Sequence, residues 1–313
     1  MSVNFTRGQF LALSAAGMAA TLLPRSTRAG SSPGPRSLGY NLYSMKTVSL
    51  PEAFSACARI GYRNIEVCML PGYPGEPSRL SKSVRAELRR QLEALGVVVS
   101  AIMPPLALNG DDAAQARMLE TLRKAAELGQ DLCPTSPPLV RTGLGDGRPE
   151  QWEELKARMV ARLGEWADTL KAAGSVGALG GHAGNVVNTF ERLLWLHHQV
   201  ARPEIALYYD HVNYALEGVQ FEESLPALIP FCRFVHLQDA TGTAAKKNYL
   251  LAGDPAGPTD FVRYFRELVR LGYRGPLVAH VSGKFSNAPR YEPFAVAELC
   301  FNRLDAALRA AAA

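Results

Sequence analysis

Short apolar runs and longer amphipathic segments alternate along the chain from residue 37 onwards. Runs such as RNIEVCM and VVVSAIM are rich in β-branched residues and have the length of buried strands. Eight strands are predicted, at 37–43, 63–69, 97–103, 138–143, 175–180, 205–210, 233–239 and 276–281.

The segments between these strands place apolar residues at helical spacing. In SKSVRAELRRQLEALG, Ser81 is a candidate N-cap, the apolar positions recur every three or four residues, and Gly96 closes the helix. Eight helices are predicted, near 50–61, 81–96, 112–128, 150–173, 189–201, 221–230, 258–271 and 292–311.

Strands separated by helices of this length must pair in parallel. Eight such units over residues 37–313 predict a closed (β/α)8 TIM barrel. The competing fold, an open doubly wound sheet, would be favoured by a glycine-rich phosphate loop after the first strand. The segment GYNLYSMKTVSL contains no such loop, so the sequence favours the barrel.

The first 29 residues have the layout of an export signal, and a Gly/Ser/Pro-rich linker follows at 30–36. Arg7 precedes an apolar run, and the run ends at Pro24 before a small-residue exit at Ala29. TRGQFL also resembles the twin-arginine signature, with Gly8 where the second arginine would stand. We therefore expect an exported protein, periplasmic or extracellular. An ordinary secretory signal and an N-terminal helix packed on the domain are the alternatives.

Composition and charge narrow the class of protein. The chain is 47% hydrophobic and 20% charged, which is ordinary for a globular domain. Without residues 1–29, which hold three arginines and no acidic residue, the net charge falls from +5 to +2. Such a small charge does not favour a nucleic-acid partner. After the leader, the absence of a long apolar run predicts no membrane insertion. Five scattered cysteines without a CxxC pair indicate neither a disulfide framework nor a thiolate zinc site.

Polar residues gather where the predicted strands end, which is where TIM barrels hold their sites. Glu66 lies in strand two, Arg141 in strand four, Asp210 in strand six, His236 in strand seven and His280 in strand eight. His182 follows strand five by two residues. Singly, each could be structural: a hydrogen-bonded core histidine, a helix cap at Asp210, or a Glu66 paired with Arg63 or Lys46. Together, imidazoles and a carboxylate at one barrel mouth are typical of a divalent metal site.

From residue 38 to residue 308 the chain resembles the sugar phosphate isomerase/epimerase family of xylose isomerase-like TIM barrels. The matching segments are AFSACARIGYRNIEVCM, LEALGVVVSAIMP, GHAGNVVNT, YYDHVNYALEG, FVHLQDA and FVRYFRELVRLGYRGPLVAHVS. The resemblance implies one divalent cation, commonly manganese, held by a glutamate on strand five, an aspartate on strand six, a histidine on strand seven and a glutamate on strand eight. The two glutamates would move a proton beside the carbonyl of a sugar.

This chain keeps half of that pattern. Asp210 and His236 match the ligands on strands six and seven, but Gly180 and His280 stand where the two glutamates are expected. Asn213 replaces a histidine that contacts the sugar's hydroxyl groups in the family. The family's proton transfer between two glutamates cannot operate here in its usual form.

Three interpretations remain open. In the first, Asp210, His236 and His280, with His182 as a fourth ligand, hold manganese, zinc or iron in an exported isomerase or epimerase. His280, Glu66 and His182 are then the candidate acid/base groups. Arg141, Asn213 and Lys284 are the candidates for binding a sugar or another polyhydroxylated carbonyl compound. Lys284, like Lys246 and Lys247, could equally be a solvated surface charge.

The second interpretation is a non-catalytic relative that binds a carbohydrate and has lost both catalytic glutamates. The third is a nucleic-acid enzyme, because abasic-site endonucleases share the barrel, but the low charge and the export signal argue against it. Two long loops, GLGDGRPEQW after strand four and ATGTAAKKNYLLAGDPAGP after strand seven, are expected to act as lids or as partner contacts, including those of a homo-oligomer.

Overall fold

The computed structural model describes residues 37–313, and the predicted export signal and linker lie outside that range. Eight parallel strands close into a barrel, which confirms the predicted fold. The barrel strands and the two strands of a separate hairpin are β1 (Leu38–Asn41), β2 (Asn64–Cys68), β3 (Val98–Met103), β4 (Leu139–Gly143), β5 (Gly177–Gly180), β6 (Ile205–Asp210), β7 (Cys232–Leu237), β8 (Asp239–Thr243), β9 (Lys246–Leu250) and β10 (Leu277–Ala279).

Helices surround the barrel and connect its strands. They are α1 (Leu50–Ile60), α2 (Lys82–Leu95), α3 (Asp112–Leu132), α4 (Trp152–Ala172), α5 (Phe190–Val200), α6 (His211–Ala215), α7 (Phe221–Leu228), α8 (Phe261–Arg270), α9 (Gly283–Ser286) and α10 (Pro293–Ala312). None of the helices in the described part of the chain is long and apolar enough to cross a membrane.

The helix ends follow local sequence signals. The hydroxyl of Ser81 accepts a hydrogen bond from the Val84 backbone N–H at the start of α2. Gly96 ends the same helix with a φ of +62°, in the left-handed region that glycine adopts without strain. The predicted boundaries of α2 are therefore confirmed.

The barrel interior and the helix-facing core contain different residues. Apolar residues such as Ile65 and Val67 face the helices and belong to the large core between strands and helices. A small cluster inside the barrel contains Ala101, Ala178, Tyr208, Phe234 and Val278. Side chains alternate along a strand, so the residue two positions after a member of this cluster also points into the barrel interior. Polar residues of the mouth occupy such positions.

The segment after β7 differs from the prediction. The sequence predicts a long irregular loop there, but residues 239–250 form the antiparallel hairpin β8–β9. Its residues are mostly polar and small, so they carry no alternating apolar pattern by which a strand is recognised. Two short helices, α6 and α9, also interrupt the expected simple alternation. α6 follows β6 directly and three residues separate α9 from β10, so both lie at the mouth.

Candidate functional site

A cleft of about 320 Å³ opens at the carboxyl ends of the barrel strands. This volume is at the small end of the range for sites that bind small molecules. Its lining residues are Tyr43, Met103, Arg141, Gly143, His182, Tyr208, Asp210, Asn213, His236, Gln238, Tyr249, His280, Ser282 and Gly283. Six residues predicted as catalytic, metal-binding or substrate-binding therefore share one cleft: Arg141, His182, Asp210, Asn213, His236 and His280.

Glu66 lies beneath the cleft and is fully buried. Its carboxylate accepts hydrogen bonds from Arg141 Nε at 2.5 Å, from His236 Nε2 at 2.6 Å and from the side-chain amide of Asn41. Burial alone would raise the pKa of Glu66, but the charges of Arg141 and His236 outweigh it and hold the pKa well below its usual range. Glu66 is therefore an ionised anchor for Arg141 and His236, and its partner is Arg141 rather than Arg63 or Lys46.

His236 connects Glu66 to Asp210. Its Nδ1 atom lies 3.6 Å from Asp210 Oδ2, which also accepts a 2.7 Å hydrogen bond from the Gln238 side chain. Burial would lower the pKa of His236, but the neighbouring carboxylate of Glu66 raises it above its ordinary value. Both ring nitrogens of His236 therefore face carboxylates. The other carboxylate oxygen of Asp210, Oδ1, is buried and has no partner within residues 37–313.

His280 stacks between two other rings at the mouth. Its ring lies 4.9 Å from that of His236 and 5.7 Å from that of Tyr43, with interplanar angles of 21° and 29°. Burial and the positive charges of His236 and Arg141 lower the pKa of His280 to about 3. His280 is consequently a neutral imidazole at physiological pH. Its Nδ1 atom is buried and finds no hydrogen-bond partner in the described chain.

Tyr208 occupies the space beside Gly180. A Cβ atom at position 180 would lie 2.3 Å from Cε1 and Cζ of the Tyr208 ring. Real Cβ atoms do not approach a neighbour so closely, so this arrangement admits no side chain at position 180. The place where the resemblance implies a catalytic glutamate is filled by an aromatic ring from the neighbouring strand β6.

His182 and Asn213 both hold the loop that follows β5. His182 Nδ1 lies 2.8 Å from Asn185 Oδ1, and Asn213 Oδ1 accepts a 3.2 Å hydrogen bond from the Ala183 backbone. Both side chains still line the cleft. Their positions suit contact with a ligand, while these hydrogen bonds keep the loop in place.

Lys284 is the predicted substrate-binding residue that does not line the cleft. Its ammonium group donates to Asn248 Oδ1 at 2.6 Å and to the Tyr249 carbonyl at 3.1 Å. These bonds fasten α9 to the hairpin strand β9. Lys284 is exposed, as the alternative of a surface charge expected, and it also makes specific contacts to the hairpin.

The expected metal ligands can be tested against this arrangement. Across the described residues, no three His, Cys, Asp or Glu side chains are grouped closely enough to hold a metal ion. His236 has both nitrogens directed at carboxylates, and His182 uses Nδ1 within its own loop. Arg141 supplies a permanent cation beside Glu66, which opposes a further cation there. As arranged, these residues do not fit the predicted divalent metal centre.

Sequence reasoning missed several residues of the site, among them Asn41, Tyr43, Tyr208, Gln238 and Tyr249. Tyr208 and Gln238 could have been found, since each lies two positions from a predicted site residue on the same strand or its extension. Tyr43 belongs to a 3₁₀ turn after β1, and Tyr249 to the unpredicted hairpin. Asn41 ends β1 as a single polar residue, a weak signal in isolation.

Residues 54–292 match the family model of the xylose isomerase-like TIM barrel. No curated protein sequence matches the chain. Solved structures with the same fold have low sequence identity to it. A xylose isomerase domain protein from Alicyclobacillus acidocaldarius subsp. acidocaldarius has a TM-score of 0.71 and 21% identity, covering 89% of this chain and 100% of its own.

Two further solved structures bear on ligands. The IolI protein, solved with a bound zinc atom, has a TM-score of 0.70 and 18% identity, covering 86% of this chain and 98% of its own. D-allulose 3-epimerase from Methylomonas sp., solved with D-allulose, has a TM-score of 0.64 and 20% identity, covering 88% and 98%. At these identities the likeness concerns the fold, and the zinc and the sugar belong to those proteins.

Proposed function

Because this chain belongs to the xylose isomerase-like TIM barrel family, we propose that its barrel mouth binds a sugar or a related polyhydroxylated compound, without a divalent metal. The proposal follows the second interpretation of the sequence, a carbohydrate-binding relative without the family's proton transfer. The first interpretation, a metal-assisted isomerase or epimerase, is less favoured because His236 has both ring nitrogens directed at carboxylates and His182 uses Nδ1 within its own loop.

One observation carries the proposal. Within residues 37–313, Asp210 Oδ1 and His280 Nδ1 are buried without partners, and both residues line the same cleft. An unsatisfied buried polar atom costs about 1–3 kcal/mol. Hydroxyl groups of a bound sugar would supply the missing partners, since each hydroxyl both donates and accepts.

A row of charged and basic side chains below the cleft supports ligand binding without a metal ion. Arg141 contacts Glu66, Glu66 contacts His236, and His236 lies beside Asp210, so basic and acidic side chains alternate along this row. Glu66 and one oxygen of Asp210 are thereby already in contact with basic side chains. Tyr208 in the space beside Gly180 removes the room for a fourth, carboxylate ligand.

Calorimetric titration with a panel of sugars, with EDTA present, tests the proposal. At least one member should bind, and Asp210→Asn and His280→Ala should weaken that binding by about tenfold or more each. His198→Ala is the matched control, because His198 is an exposed histidine on α5, outside the cleft residues. The proposal fails if no sugar binds, or if manganese-dependent epimerisation of a sugar is found.

The predicted export carries a separate proposal. We propose that residues 1–29 direct the chain out of the cytoplasm and are then removed, on the strength of the apolar run, Pro24 and the small-residue exit. N-terminal sequencing of the protein from fractionated cells tests this. A mature terminus near residue 30 is expected, and an intact Met1 in the cytoplasmic fraction would contradict it.

A further inference from the structure

Two glycines make the space in which Tyr208 lies. Gly143 and Gly180 are register partners at the ends of β4 and β5. A Cβ atom at position 143 would lie 3.0 Å from the Tyr208 hydroxyl, and one at position 180 would overlap the ring. The tyrosine is thereby fixed with its ring against β5 and its hydroxyl near β4.

Arg141 lies against this tyrosine. Its guanidinium carbon is 5.0 Å from the centre of the Tyr208 ring, and Nη1 lies 3.5 Å from the Tyr208 hydroxyl oxygen. Nε is bonded to Glu66, and Nη2 contacts the sulfur of Met103. A guanidinium carries five N–H donors, and a thioether is only a weak acceptor. In the described chain, Glu66 is therefore the one strong acceptor bonded to Arg141.

Spare donors consequently lie side by side in the cleft. The Tyr208 hydroxyl oxygen accepts a hydrogen bond from Arg141 Nη1, which leaves its own O–H free to donate. Nη1 and Nη2 of Arg141 each carry a second N–H group that the contacts with Tyr208 and Met103 do not use. Arg141 and Tyr208 both line the cleft. A planar, charged guanidinium beside a hydroxyl donor can donate hydrogen bonds to both oxygens of a carboxylate.

We infer that Arg141 and Tyr208 bind the carboxylate of a sugar acid, at the position where family members would place a catalytic glutamate. This deepens the proposed function and rests on it, since the hydroxyl groups of the same ligand would reach Asp210 and His280. Because Gly180 stands where the family's glutamate is expected, position 180 adds no negative charge to repel a carboxylate. Specificity for an acid over a neutral sugar would come from charge-assisted hydrogen bonds.

Matched ligands test the inference. D-glucuronate and D-gluconate are titrated against D-glucose at equal ionic strength, with EDTA present. The acids should bind at least about tenfold more tightly than the neutral sugar, because hydrogen bonds to a charged group are roughly twice as strong. Equal or tighter binding of glucose overturns the inference and leaves the proposed function standing. If none of the three ligands binds while another sugar of the panel does, the inference is overturned and the proposed function stands. If no sugar of the panel binds, both are overturned.

A variant that keeps the packing shows whether a loss of binding comes from a lost hydrogen-bond donor or from a disturbed fold. Tyr208→Phe retains the ring between Gly143 and Gly180 and removes only the hydroxyl. It should reduce the preference for the acid, measured as the ratio of the dissociation constants for glucose and glucuronate, by about fivefold. Arg141→Lys keeps the positive charge without the planar fork and should reduce the preference as well. An unchanged preference in both variants overturns the assignment of the carboxylate to Arg141 and Tyr208.

Discussion

The ring of Tyr208 lies where a side chain at position 180 would begin, 2.3 Å from the Cβ that any residue other than glycine would carry. Gly180 is thus more than a lost glutamate. Gly180 packs against Tyr208, which lies on the adjacent strand. Restoring the family's residue at this position would require removing the tyrosine first.

The first prediction concerns this pair. Gly180→Ala should lower the free energy of unfolding by about 1–3 kcal/mol, because the added methyl group overpacks the barrel interior. Urea denaturation measures the loss. The double variant Gly180→Ala/Tyr208→Leu should lose less than the sum of the two single variants, since the smaller side chain relieves the overlap.

Gly164→Ala is the control for this experiment. Gly164 lies within α4, and among the described residues no atom beyond the helix's own backbone lies within 4 Å of the Cβ that would be added there. Alanine should stabilise this helix by about 0.5–1 kcal/mol. If Gly180→Ala behaves like Gly164→Ala, the proposed packing of Tyr208 is contradicted.

The second prediction concerns the buried ion pair. Glu66→Gln should destabilise the protein by about 3–5 kcal/mol, because it leaves the guanidinium of Arg141 buried without a counter-charge. Glu153→Gln, at an exposed pair with Lys156, should change stability by less than about 1 kcal/mol. Equal effects in urea denaturation of the two variants would show that Glu66 does not anchor the site.

The third prediction is a pH dependence. Because the pKa of His280 is lowered to about 3, the unfolded chain binds a proton there at a higher pH than the folded one. This histidine therefore destabilises the fold increasingly as the pH falls below about 6.5, the ordinary value for histidine. The wild type should lose about 1–2 kcal/mol relative to His280→Gln between pH 7 and pH 5.

The opposite shift at His236 makes the comparison with a variant necessary. Its raised pKa favours the folded state at low pH, and that contribution is lost as the pH rises through the folded value. It is present in both proteins, so the difference between wild type and His280→Gln isolates His280. Parallel stability curves for the two proteins from pH 7 to pH 5 would contradict the lowered pKa.

The fourth prediction concerns metal. Added manganese or zinc should leave the melting temperature of the wild type unchanged, since a bound ligand stabilises only where it binds the folded state. Asp210→Ala and His236→Ala should respond to manganese as the wild type does. Stabilisation by manganese that both variants abolish would restore the metal centre expected from the resemblance.

The sequence predicted the barrel and most of the cleft for a definite physical reason. Strand and helix periodicities are local, and a closed barrel brings the ends of all its strands to one rim, so His236 and Asp210 could be placed together without coordinates. Partners could not be assigned in this way. Glu66 pairs with Arg141, 75 positions away, and periodicity does not identify which of several nearby cations a carboxylate contacts.

The tyrosine and the hairpin show two further limits. Tyr208 is visible in LYYD as a strand residue facing the same side as Asp210, but its overlap with position 180 depends on the register between β6 and β5. The hairpin β8–β9 carries too few apolar residues to be predicted as strands, although it brings Tyr249 to the mouth. Neither the packing of Tyr208 nor the polar hairpin could therefore be predicted from the pattern of hydrophobic and polar residues.

The central claim is that the barrel mouth binds a sugar acid through Arg141 and Tyr208, with no metal ion. A crystal grown with manganese and D-glucuronate, measured by anomalous diffraction at the manganese edge, tests it most directly. The account predicts the ligand's carboxylate against Arg141 and Tyr208, and no manganese peak between Asp210 and His236. A manganese peak bound by Asp210 and His236, with the sugar coordinated to it, would contradict the account.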